Sequence, residues 1–208
     1  MRISFKPWML IVVTVVLFGA LAALGALANV LYWHPQDRPW VRSFISKAPV
    51  PIARVGGSFV SYKDYLIQQD AAQTFLIAEA ASQAAIPDGQ VLPTSLDTQA
   101  KQLILDQLIR AAAVKQLAED ADLRLTDEDV TRSFEELIAR AGTSTNPGEI
   151  DAYLKTTFGW TRQEFSQRVV RPATLETAVK QEVYKDDDTA FQAALTEKTK
   201  NTVVYIRL

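Results

Sequence analysis

At 208 residues and 23.1 kDa, with an apolar share of 48% and a charged share of 22%, the chain has room for one globular domain beside a tether. It has no cysteine and a single histidine, His34, beside a long apolar run; this excludes disulfides, thiolate metal sites, cysteine nucleophiles and a histidine-based site further along. The net charge of −2 is uneven: residues 1–50 hold five basic residues against Asp37 alone, so the rest is acidic. An acidic domain disfavours nucleic acid as a partner, while the basic flanks suit anionic lipid headgroups.

From Trp8 to Trp33, "WMLIVVTVVLFGALAALGALANVLYW" runs 26 residues without a charge. As a helix rising ~1.5 Å per residue it exceeds the ~30 Å hydrocarbon core, and Trp8, Tyr32 and Trp33 fit the aromatic belts at the two interfaces. We expect residues 1–33 to be a short cytoplasmic tail and a single transmembrane anchor, with the lipid bilayer as the partner of residues 8–33. A cleavable signal peptide with its site at Ala26–Ala28 is the alternative, but a signal core of ~7–15 residues is much shorter than this run. Positive charges barely separate the two sides, and a very short tail left in the cytoplasm puts the domain outside, at the cell membrane. Gly19 and Ala23, like Ala22 and Ala26, have the small-xxx-small spacing of helix–helix contacts, without deciding an oligomeric state.

Residues 34–51 carry Pro35, Pro39, Pro49 and Pro51. Either this is a stiff juxtamembrane linker, or Pro39 opens a short helix with Trp40, Val41, Phe44 and Ile45 on one face, lying on the membrane surface.

The soluble part is read as residues 52–208. "VGGSFVSYKDYL", Val55 to Leu66, reads as strand residues, a Gly56-Gly57 turn and a helix capped by Ser61 with Asp64 three residues on. That helix is expected to run from Tyr62 to Ala85, where "IPDGQVLPTS" breaks it. A second, Leu96 to Ala121, has Leu103, Ile104, Leu108, Ala111, Val114, Leu117, Ala118 and Ala121 as its expected buried stripe. Thr126 with Asp129 caps a third, with Val130, Phe134, Leu137 and Ile138 as its apolar face and Gly142 as its terminator. Asn146, Pro147 and Glu149 open a fourth that Gly159 ends. Thr161 with Glu164 opens a fifth reaching Tyr184, in which Pro172 predicts a kink or a split near Val169. After "KDDD" comes a short helix, and "NTVVYIRL" reads as a strand. Ala53–Val55, with Phe59 and Val60 as further candidates, and Val203–Ile206 are then each other's expected partners, a two-stranded clasp joining the ends of a mainly α domain.

In this order the pieces "IARVGGSFVSYKDYL", "QLILDQLIRAAAVKQLAEDADLRLTDEDVTRSFEEL" and "FGWTRQEFSQRVVRPATLETAV" resemble the N-terminal chaperone domain of the SurA and PrsA family of extracytoplasmic folding factors. The resemblance covers residues 52–208. It departs at the turn, where the family has Asn-Gly and this chain Gly56-Gly57. Many members also carry a parvulin-type prolyl isomerase domain. The 23 residues after Lys185 hold no histidine or cysteine, so the expectation is the chaperone module without the enzyme.

The resemblance implies a membrane-anchored holdase that binds unfolded or newly translocated polypeptides on an apolar helical cradle. Candidate client-binding residues are Phe134, Tyr153, Phe158, Trp160 and Phe165, each of which also suits a core position. A non-catalytic scaffold or assembly subunit of a membrane complex is the alternative, and an isomerase-related protein retaining activity ranks behind it. No cofactor, metal site or catalytic residue is expected. The acidic runs Asp127–Asp129 and Asp186–Asp188 read as charge at helix ends, and the second lacks the glycine and distal glutamate of a calcium loop.

Overall fold

The structure is a computed structural model, and it describes residues 39–83, 95–141 and 146–207. The expected anchor, the Ala26–Ala28 alternative and the Gly142 terminator lie outside these residues. Among the described residues no helix is long and apolar enough to cross a membrane. The chain divides into two compact units, Met1–Ala48 with Tyr205–Arg207, and Pro49–Val204.

Within the first unit, α1 (Pro39–Lys47) takes the helical alternative for the proline-bounded segment. Val41 and Ile45, expected on a lipid-facing side, are buried, whereas Phe44 is exposed.

The second unit begins with β1 (Pro51–Val55) and β2 (Ser58–Ser61), joined by the Gly56-Gly57 turn. Gly56 alone takes a left-handed φ, +52°, which is the pattern of a II′ hairpin turn and not of the doubly left-handed I′ turn. A two-stranded clasp was expected; the described sheet has three strands in the order β2–β1–β3. β3 is only Val203–Val204, paired antiparallel with Arg54 and Ala53, and Tyr205 and Ile206 do not continue it. Phe59 and Val60, expected to join Ala53–Val55 against the C-terminal strand, instead form β2 and pair with β1 across the turn. Ile52, Ala53 and Val55 are wholly buried, while Arg54 points outward with its guanidinium 5.8 Å over the exposed Phe59 ring.

α2 (Tyr62–Gln83) follows directly, and Ser61 Oγ accepts from the Asp64 N–H at 3.4 Å as its cap. Tyr62, Tyr65 and Ala71 are its buried positions, and burial pushes the Tyr65 hydroxyl pKa well up, helped by the neighbouring Tyr62. α3 (Thr98–Asp120) is capped by Asp97, whose Oδ1 accepts from the Ala100 N–H at 2.7 Å. Its buried face is Ile104, Leu105, Ala113, Val114, Leu117 and Ala118. Leu103 and Ala121 are exposed, which corrects the expected stripe at its two ends. α3 packs on the sheet, where Gln116 Nε2 donates to the Val55 carbonyl beside the turn.

α4 (Asp127–Arg140), α5 (Pro147–Phe158) and α6 (Arg162–Phe165) open on their expected caps. Thr126 with Asp129 and Thr161 with Glu164 are complete capping boxes, and Gly159 closes α5 at φ 73°. Each carboxylate is held below its ordinary pKa by its threonine, through the side chain first at Asp129 and the backbone N–H first at Glu164. Val130, Phe134, Ile150, Leu154 and Val170 form a shared core.

Beyond Phe165 the helix runs on without the split near Val169 that Pro172 predicts; a π-helical turn over Ser166–Val170 takes up the proline instead. The Arg171 N–H reaches back five residues to the Ser166 carbonyl, and α7 (Arg171–Ala178) resumes with Pro172 in its first turn. A proline gives no N–H to the preceding turn, and the wider π spacing accommodates its ring. A second π turn, Val179–Val183, leads to left-handed Lys185 and Asp186, and then α8 (Asp188–Thr199) packs on α3. The acidic runs are engaged at these joints: Asp187 caps α8, Asp188 pairs with Lys180 at 2.9 Å, and Asp127 pairs with Arg171.

Candidate polypeptide-binding groove

The five aromatic residues singled out in the sequence form one connected cluster centred on Phe158. Phe158, at the last turn of α5, lies 5.7 Å from Phe165, 6.2 Å from Trp160 and 6.4 Å from Tyr153, measured between ring centroids. Phe134 joins through Phe165, edge-on at 6.2 Å. Offset and edge-to-face rings at these separations attract through their quadrupoles beyond the apolar area they bury.

Local chemistry sets this convergence. The left-handed Gly159 turns the chain through a bend that few other residues adopt, and the rings of Phe158 and Trp160 on either side of it in sequence stack on each other. The Thr161 capping box then restarts the helix, and Phe165 comes back over Phe158. Arg162 fastens the bend to α5, donating to Asp151 at 3.0 Å and to the Pro147 carbonyl at 2.9 Å, with its guanidinium 5.7 Å over the Phe134 ring.

The five differ in what they present. Phe134 and Trp160 are buried and back the cluster; Phe158 and Phe165 are half-buried; Tyr153 is 57% exposed. Between α4 and α5 the cluster opens into an apolar groove of about 420 Å³, lined by Leu137, Ile138 and Ala141 on one side and Ile150, Tyr153 and Leu154 on the other. Phe158 and Phe165 close its inner end, and Glu149 is its acidic member. Leu137, 43% exposed, and Tyr153 are the large apolar side chains at its mouth.

One member was missed. Phe75 of α2 stacks on Phe158 at 5.9 Å and 11°, and is itself 40% exposed. Its position four residues after buried Ala71 puts it on the packed side of α2. Only the tertiary packing of α2 on α5 shows which ring it meets.

Comparisons with protein-family models, with curated proteins and with solved structures find no match for this chain.

Proposed function

We propose that the chain is a non-catalytic, membrane-anchored extracytoplasmic chaperone of the SurA/PrsA N-domain type, a holdase for unfolded or newly translocated polypeptides. One observation carries the reading: a solvent-open apolar groove walled by α4 and α5, with Leu137 and Tyr153 at its mouth and a ring cluster as its floor. Burial of apolar surface is non-directional, so such a groove accepts varied apolar side chains without a sequence motif. Aromatic rings supply much contact area for little lost side-chain freedom, and preformed ring contacts spare the cost of ordering them on binding. The acidic sequence beyond residue 50 keeps the bound form soluble and does not attract phosphate backbones.

The test uses the full-length chain in mild detergent, with detergent-only controls, added to a chemically unfolded client while light scattering is followed. Suppression of aggregation of several unrelated clients at near-stoichiometric ratio is the expected outcome. No suppression at several-fold molar excess would remove the holdase reading and leave a dedicated scaffold in its place.

A further inference from the structure

A second hollow lies on another side of the same helical segment and has a different chemistry. Two adjoining cavities, of about 360 and 430 Å³, share Gln68, Leu108, Arg168 and Pro172 and so form one continuous cleft. Its walls are α2, α3 and the run from Gln163 to Glu176, which includes the π turn. The floor is apolar, with Leu108, Ala111, Val169 and Pro172.

The charged side chains of this cleft are already engaged, Glu164 by the N–H and hydroxyl of Thr161 in its capping box. Arg168 pairs with Asp64 at 3.0 Å, and Arg110 forks onto Glu176 with its shortest contact at 2.7 Å. What remains to meet a ligand is a set of neutral carboxamides: Gln68, Gln107 and Gln163 have no side-chain partner among the described residues. A carboxamide offers one acceptor and two donors, the complement of a peptide group's N–H and C=O. π-helical turns in α-helices recur at functional sites, and this one sets Arg168 and Val169 along the cleft.

We propose that this cleft binds the main chain of a neutral, extended polypeptide segment, with the glutamine carboxamides pairing to its peptide groups and the floor receiving its small apolar side chains. The wall from Gln163 to Glu176 measures about 20 Å at ~1.5 Å per residue, room for about six extended residues at ~3.3 Å each. An anionic ligand would meet three carboxylates, Asp64, Glu164 and Glu176, against two guanidiniums that are both already paired, which selects against it. The inference rests on the chain being a polypeptide binder and adds to it a second mode. The aromatic groove takes apolar side chains in any order, and the cleft reads the backbone that every client shares.

The experiment is fluorescence anisotropy on the full-length chain, with a fluorescein-labelled neutral eight-residue peptide of Val, Thr and Ala as the probe. A second probe carries N-methyl groups at alternate residues, which removes backbone donors and keeps the side chains. N-methylation is expected to weaken binding about tenfold, the effect of losing a few hydrogen bonds. The Gln68→Ala/Gln107→Ala/Gln163→Ala variant should bind the parent peptide about tenfold more weakly and discriminate little between the two probes. A Leu137→Ser/Tyr153→Ser variant should keep the discrimination, so failure of the cleft and failure of the groove separate. Equal binding of both probes would overturn the proposal, as would an unchanged affinity in the triple variant with its thermal midpoint retained. Absence of binding up to about 1 mM, or binding that salt abolishes while N-methylation leaves it alone, would do the same.

Discussion

The mouth of the aromatic groove offers a perturbation that separates binding from folding. Leu137 and Tyr153 are 43% and 57% exposed, so truncating both to serine removes one edge contact to Phe158 and leaves the Phe134–Phe165 and Phe158–Trp160 ring contacts in place. A client side chain that covers the free part of Leu137 recovers about 1 kcal/mol of the ~1.5–3 kcal/mol for complete burial. Tyr153 exposes about 100 Å² of an aromatic surface of ~150–250 Å², worth about 1.5 kcal/mol once its wet hydroxyl end is discounted. The double variant should therefore lose about 2.5 kcal/mol of client affinity, roughly 60-fold in Kd. Anisotropy of a labelled, permanently unfolded client measures it directly, and light scattering gives the functional counterpart. Folding should suffer little, because half-exposed surface positions contribute about 1 kcal/mol or less each, a few degrees of thermal midpoint in a chain of this size. An affinity within twofold of wild type, with the midpoint preserved, would refute the reasoning: the groove would then be a packing defect between α4 and α5.

Gly56→Ala should cost about 2–3 kcal/mol and lower the thermal midpoint by roughly 4–12 °C, through left-handed backbone strain and loss of the Gln116 bond to Val55. An added Cβ there would sit 2.7 Å from Gln116 Oε1, whereas Gly57→Ala faces open space and should change the midpoint by less than about 2 °C. A double-mutant cycle on Arg110 and Glu176 should return about 0.5–1 kcal/mol, since the pair is forked but over a third of each side chain is exposed. Asp129 and Glu164 have folded pKa values below their ordinary 3.8 and 4.5, so the stability they contribute is fully present above about pH 4.5 and lost as pH falls through the lowered values. Urea midpoints measured from pH 6 to pH 2 should fall over that window, and less steeply in a Thr126→Val/Thr161→Val variant.

The caps at Thr126, Asn146 and Thr161 and the stop at Gly159 could be read directly because their partners lie within three or four residues. The aromatic cluster, as a set of touching rings, is legible for the same reason along α5 and α6, where one turn and one bend carry Tyr153, Phe158, Trp160 and Phe165. Phe75 was not, because its partner is separated from it by two whole helices. The stripe on α3 failed at Leu103 and Ala121 for a related reason: that helix meets the sheet, α2, α7 and α8 on different sides, so a single periodic face does not describe it. Pro172 marks the place of the π turn, but nothing in the residues specifies a widened, unbroken turn in place of a kink or a split. The one at Val179–Val183 has no proline and no sequence signal at all.

The pairing of β1 with β3 also fixes an order of events during synthesis. Ala53 and Val204 stand about 150 residues apart, and closing such a loop costs about 4 kcal/mol of chain entropy before any contact repays it. A chain emerging in sequence exposes β1 and β2 first, and they can form a hairpin at once. The other edge of β1 stays open until every helix has been made and Val203 arrives. A chain built this way spends its own synthesis with an unpaired strand edge, and β3 is the segment that closes it.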